Sequence, residues 1–357
     1  MSGVLANSEY RNNYCYEYLL EYIEETSLKV GLSFIIIQIN FILKIIMRII
    51  SFFIRYESVN TERVDSMLNM FLVLFVNTGV LILVINGNLN STFFGASFTH
   101  IPVVGNYIFN GDYSDYTRKW FIYVGTSVII IMFVNIIMPP VSGFLFFVLK
   151  KMTRCCCKNR ATIQRDLNSL FKGPDYDIAY SGAQFLANFY ITLMYCNACP
   201  LLLPIFLVYV LLRYWTDKCL LLRHYCAPPS YDDRFPAKVI TAMPYAVLIH
   251  LLLSLWVYTS PHIYPTSYKQ SVINGTTIFE ATSPSTFWAR VFQAYTVPLL
   301  IFLIVFIVLY GLTSIFFRIF KCCCRQKREM SQKIIQGTFS EGRVGFKSSE
   351  GENIRDQ

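Results

Sequence analysis

The sequence predicts an all-α fold, a polytopic membrane helix bundle with about seven membrane segments, two of them paired as a Pro-tipped helical hairpin. Three observations point there. Of 357 residues, 54% are hydrophobic and only 15% charged, whereas about a quarter of a soluble domain is charged. Mean hydropathy is positive, at +0.44. The apolar residues are also gathered into runs of roughly 20 residues or more, the length an α-helix needs to cross hydrocarbon. Together these features argue against a soluble enzyme.

Residues 1–27 form a short leader without a signal peptide, since no basic segment leads into an apolar core. The first apolar run is Leu28 to Ile54, the second spans about 69–86 and the third about 120–149. The stretch Tyr180 to Tyr214 is too long for one crossing and contains Pro200 and Pro204, which lack a backbone donor. It therefore reads as two helices, about 180–198 and 200–216, turning near Cys199-Pro200. Two further segments follow at about 239–258 and 287–320. The transmembrane domain thus covers 28–320. The tail, 321–357, is rich in Gly, Ser and charge and reads as disordered.

Orientation follows from Lys and Arg, which collect in short cytoplasmic loops. Lys150, Lys151, Arg154, Lys158, Arg160, Arg165 and Lys172 follow the third segment, and Arg213, Lys218, Arg223, Arg234 and Lys238 follow the hairpin. Both flanks of the hairpin are then cytoplasmic, which requires an even number of crossings between them. The loops near 88–116 and 259–286 fall outside, and each carries a glycosylation sequon, at Asn90 and at Asn274. Counting back places the N-terminus outside and the basic C-terminus inside. The net charge of +9 sits beside segment ends rather than on one amphipathic face, so it marks topology and not a nucleic-acid partner.

Polar positions inside the apolar runs are the candidate functional residues. In the first segment Asn40, Lys44 and Arg48 share a stripe with Ser51 and Arg55, because steps of three and four return to one helix face. A basic side chain in a membrane faces water, protein or headgroups. The stripe lines a hydrated pathway, or Lys44 and Arg48 reach to the inner headgroups. Asn77 in the second segment, with Ser127 and Asn135 in the third, can line a pore or bond neighbouring helices. Pro139 and Pro140 are expected to kink the third segment, either as a gating hinge or as a plain irregularity.

The 11 cysteines form no secreted disulfide framework. The triples Cys155, Cys156, Cys157 and Cys322, Cys323, Cys324 follow segment ends amid basic residues, the setting of S-palmitoylation. Adjacent triples do not suit a zinc site, which uses spaced pairs. No catalytic constellation, metal motif or cofactor-binding motif surrounds the four histidines.

Tyr195-Cys-Asn-Ala-Cys-Pro-Leu-Leu-Leu-Pro204, continuing through Tyr209 to Tyr214-Trp-Thr-Asp217-Lys218 and Leu220 to Tyr225, resembles the calcium-permeable stress-gated cation channels. That is the OSCA/CSC family, related to anoctamins and transmembrane channel-like proteins. Tyr56-Glu57 through Phe75-Val76-Asn77 is similar to the linker and helix start those groups share, and Asp115 to Trp120 with Asn135 and Pro139-Pro140 is similar to the long pore helix. The resemblance covers roughly Leu28 to Arg325 and implies the C-terminal helices of that fold. It leaves the family's N-terminal helices and cytosolic domain unmatched, so the chain is expected to be a truncated product, a reduced paralogue or part of an assembly. The apolar cores of the third segment and hairpin hold no Asp or Glu, whereas anoctamins bind calcium through several acids there; calcium activation of that kind is not expected.

The resemblance implies a cation channel or channel subunit, mechanosensitive and calcium-permeable, with membrane lipids and permeant cations as partners, and a homodimer or larger membrane assembly as its form. A lipid scramblase and a non-conducting accessory subunit are the alternatives.

Overall fold

The computed structural model describes residues 14–88, 111–113, 115–157, 163–228, 232–260, 262–263, 267–273, 276–282 and 287–320. Its helices follow the apolar runs. They are α1 (Tyr14–Ile54), α2 (Val59–Asn86), α3 (Arg118–Cys156), a short α4 (Gln164–Phe171), α5 (Ile178–Tyr195), α6 (Leu202–Arg223), α7 (Arg234–Thr259), α8 (Phe287–Val291) and α9 (Val297–Phe320). Between α7 and α8 lies an antiparallel pair, β1 (Ser267–Ile273) and β2 (Thr276–Thr282), in register from Ser267 opposite Thr282 to Ile273 opposite Thr276. Among the described residues, four helices are long and apolar enough to cross a membrane: α2, α3, α7 and α9. Large apolar side chains stand exposed along them, such as Phe146 on α3, as expected where lipid rather than water is the solvent. The chain divides into two units between Leu299 and Leu300, and the packing below belongs to the first.

Local chemistry sets the ends. Arg55 adopts a φ of 51°, the left-handed conformation that stops α1. Ser58 then caps α2, its hydroxyl accepting from the Thr61 N–H at 3.3 Å. The elbow is closed by Ser51 and Ser66, whose hydroxyls lie 2.8 Å apart.

Helix α5 is the packing centre, touching α2, α6 and α7. Ala179, Ala183 and Ala187 are buried on it, and such small residues let helices approach closely. At Gly182 the approach is extreme: a Cβ there would stand 2.7 Å from Phe235 Cζ and 2.9 Å from Met67 Sδ. Farther along, Phe71 and Phe75 of α2 meet the Tyr190 ring edge-on at 4.7 and 5.2 Å.

The structure departs from the sequence expectations at several elements. Residues 14–27, expected as leader, are helical and continuous with the first segment. Helix α3 runs on to Cys156 and α6 to Arg223, each about two turns past its apolar run, because basic residues at a helix C-terminus are compatible with its dipole. The segment expected to start at 287 is broken after α8. Thr296, fully buried, lies within hydrogen-bond reach of the carbonyls of Arg290, Val291 and Gln293, fixing a turn before α9. Helix α4 and the β-pair occupy stretches expected as loops. Pro139 and Pro140 lie inside α3, whose helix continues through them. Asn90, Asn274, Cys322, Cys323, Cys324 and the tail lie outside the described residues, as does the side chain of Cys157.

Candidate functional site: a polar cavity among five helices

Two π-helical turns interrupt the spanning helices, Val76–Val80 in α2 and Phe121–Gly125 in α3. A π-turn adds a residue to the helix and rearranges its carbonyls. In α2 the Gly79 carbonyl is taken by the hydroxyl of the buried Tyr195 from α5, at 2.8 Å. The same turn presents Asn77 and Thr78 to α1. Asn77 Nδ2 donates to Asn40 Oδ1 at 2.8 Å, and Asn40 Nδ2 donates to Thr78 Oγ1 at 3.2 Å. Amides on apolar helices thereby satisfy one another.

Below this knot lies a cavity of about 420 Å³ bounded by α1, α2, α3, α5 and α6, with Tyr176 and Tyr225 at one end. Its polar wall is built by α5 and α6. Arg213 Nε donates to Asp217 Oδ2 at 2.7 Å, one helical turn away, while its two terminal nitrogens donate to Ser181 Oγ at 2.7 Å and Gln184 Oε1 at 3.2 Å. The guanidinium thus bonds a carboxylate, a hydroxyl and an amide together, which offsets the cost of its removal from water. Tyr176, in the turn before α5, puts its hydroxyl 3.1 Å from Asp217 Oδ2 and 2.9 Å from Ser181 Oγ. Burial and the adjacent Asp217 charge push its pKa up to about 12, so the hydroxyl keeps its one hydrogen for that network.

The α1 side supplies the second charge cluster. Asp177 is the N-cap of α5: Oδ1 accepts from the Tyr180 N–H at 3.1 Å and Oδ2 receives Arg48 at 2.6 Å. Lys44 faces the cavity with its ammonium 3.5 Å from the Tyr180 ring centre, a cation–π contact. Tyr180 is held by Gln184 Nε2, which donates to its hydroxyl at 2.8 Å. On the facing wall, Asn135, Pro139 and Pro140 of α3 line the cavity. Neither proline has an N–H to give to the carbonyl four residues before it, that of Asn135 or of Ile136.

Of the sequence candidates, Asn40, Lys44, Asn135, Pro139 and Pro140 border this cavity. Arg48 is instead spent on Asp177, Asn77 bonds Asn40, and Ser127 donates to its own helix at Tyr123 O, 2.6 Å away. Pro200 and Pro204 lie exposed at the α5–α6 turn, remote from the polar wall in sequence. That turn is closed by Cys199 N–H to Tyr195 O and Leu202 N–H to Cys199 O. Cys155 and Cys156 are free and exposed. No protein-family model matches the chain, and no curated protein matches it.

Sequence reasoning missed Gln184, Tyr176, Asp177 and Asn188, which also lines the cavity, gave Arg213 only a topological role and gave Asp217 no role at the site. Two signals were present. Arg213 and Asp217 are an opposite-charge pair four apart on one helix, and Tyr180, Gln184 and Asn188 repeat every four residues along α5. Among the described residues, no three His, Cys, Asp or Glu side chains gather as metal ligands.

Proposed function

We propose that the chain is a membrane cation channel or a subunit of one, with its pathway running through the cavity among α1, α2, α3, α5 and α6. The observation that carries this reading is a chamber of about 420 Å³ among apolar helices, with Lys44, Arg213, Asp177 and Asp217 on its wall. Polar groups at membrane depth are costly unless they meet water or one another, and they mark permeation routes. Lys44, Arg213, Asp177 and Asp217 supply both signs of charge to the wall. The resemblance of Tyr195 to Tyr225 to the stress-gated channel family supports the same reading.

On this proposal seven helices cross the membrane: α1, α2, α3, α5, α6, α7 and α9. Helices α5 and α6 form a hairpin turned at Pro200 and Pro204, the basic ends of α3 and α6 face the cytoplasm, and Asn90 and Asn274 face outside. Pro139 and Pro140 hinge the inner half of α3 during gating. The functional form is a homodimer or larger assembly, with acylation at the cysteine triples.

One observation favours a second reading, a lipid scramblase. Phe41 and Phe146 both line the cavity while being 55% and 63% exposed, so the chamber opens beside surfaces suited to acyl chains. Purified full-length protein in liposomes separates the readings. Stretch-evoked cation currents support the channel, flipping of fluorescent lipid without current supports the scramblase, and neither activity leaves an accessory subunit and overturns both.

A further inference from the structure

Helix α4 is short, and eight residues do not hold a helix by themselves in water. It persists here because α3 closes its C-terminal end. Arg154 donates from Nε to Leu170 O at 3.3 Å and from a terminal nitrogen to Phe171 O at 3.0 Å, and Lys150 Nζ donates to Lys172 O. These are the carbonyls that a helix end leaves without partners. The helix is therefore pinned to the end of a membrane-spanning helix, whose Leu149 and Met152 are themselves exposed and apolar.

At 100° per residue, Ile163, Leu167, Leu170 and Phe171 fall within one arc about 100° wide, and Gln164, Arg165, Asn168 and Ser169 fall outside it. Ile163 is 61% and Phe171 50% exposed, so the apolar arc is not used up in packing. Arg154 stands over the Phe171 ring, 5.8 Å from its centre, Lys151 is exposed on the adjoining end of α3, and the face opposite the apolar arc carries Arg165 and Lys172, with Asp166 the acid in the helix. An apolar stripe on one face with basic residues on the other, pinned to the end of α3, is complementary to one surface in its surroundings: a leaflet of anionic lipid.

We propose that the α3–α4 corner is a docking surface for anionic phospholipid, with Leu167 and Phe171 entering the acyl boundary and Lys151, Arg165 and Lys172 meeting phosphate. The site is separate from the cavity and stands whether or not the cavity conducts. The arrangement also holds Cys155 and Cys156 against the leaflet.

The test uses the full-length protein in nanodiscs of phosphatidylcholine alone and of phosphatidylcholine with phosphatidylserine, reading amide hydrogen exchange over residues 163–172. Exchange there slows roughly tenfold when phosphatidylserine is present, and the slowing shrinks in high salt. It is lost in Leu167→Asp and reduced in Arg165→Gln/Lys172→Gln, while amides near Tyr190 are unchanged. Equal exchange in the two nanodiscs overturns the proposal, as does protection that survives both variants or that rises with protein concentration, the sign of a second copy. Should Leu167→Asp fail to fold, the double Gln variant and the salt dependence in the unaltered protein carry the test.

Discussion

Tyr195 on α5 gives its hydroxyl hydrogen to the carbonyl of Gly79 in the π-turn of α2, 2.8 Å away and 116 residues distant in sequence. Both groups are buried. The bond locks the helix irregularity that presents Asn77 and Thr78 to α1.

Tyr195→Phe keeps the ring and removes the donor, leaving the Gly79 carbonyl without its partner. The expected cost is about 1–3 kcal/mol, read as a lower midpoint of thermal unfolding in detergent. An unchanged midpoint would mean that the π-turn holds its own carbonyl.

Arg213 and Asp217 are 16% and 23% exposed, and each is bonded to further polar groups. Removing one partner strands the other's charge in a largely buried position. Arg213→Met is therefore expected to destabilise by about 3 kcal/mol, and Asp217→Asn by less, because the amide still accepts from the guanidinium. The double variant Arg213→Met/Asp217→Leu should recover part of the loss. Purely additive losses would show that the pair is not coupled.

The helices were legible in the sequence because apolar runs of membrane length are a long, redundant signal. The cavity was legible only along α1 and α3, where Asn40, Lys44 and Asn135 stand out against apolar neighbours. Its strongest wall was not, since Arg213 and Asp217 lie at the junction of an apolar run with a basic segment, and charge at such a junction reads first as topology. The π-turns were invisible too. What fixes the one in α2 is a bond from Tyr195, and a tertiary contact leaves no local pattern at Val76–Val80. Helix α4 was read as part of a basic loop because its hydrophobic arc spans only two turns.

His224 ends α6 buried between the rings of Phe147 and Tyr225, with centroids at 5.7 and 5.2 Å. Burial and the positive charges of Lys150 and Arg154 lower its pKa. The folded state thus resists the imidazolium more than the unfolded chain does, so stability is full above the unfolded value of about 6.5. It falls as pH drops through that value toward the lower folded pKa. Thermal unfolding of His224→Phe is expected to lose that part of the acid sensitivity. A variant with the same pH profile as the unaltered protein would remove the role.

Cys155 and Cys156 are exposed free thiols at the end of α3. Acyl chains on them, as their basic surroundings suggest, would be released by hydroxylamine, and acyl exchange on protein from membranes should label Cys155 to Cys157. Absence of label at those positions discards the modification.

Lys44 decides how the cavity works, because its ammonium faces the chamber over Tyr180 rather than reaching the end of α1. If cations pass, a fixed positive charge several Å away opposes them by about 1 kcal/mol even in a wet, high-dielectric setting, and by more where the pathway narrows. Lys44→Gln removes that opposition together with the cation–π contact, and Lys44→Glu reverses it. Single-channel cation conductance should rise from the unaltered protein to Gln and again to Glu, or selectivity should shift in the same order. Surface expression and oligomeric state are controlled alongside. A lysine that only anchors the helix to headgroups predicts a different pair of results, weaker membrane retention and unchanged conductance. Unchanged conductance in both variants at normal expression would take Lys44 out of the pathway and move the route, if there is one, away from the α1 side of the chamber.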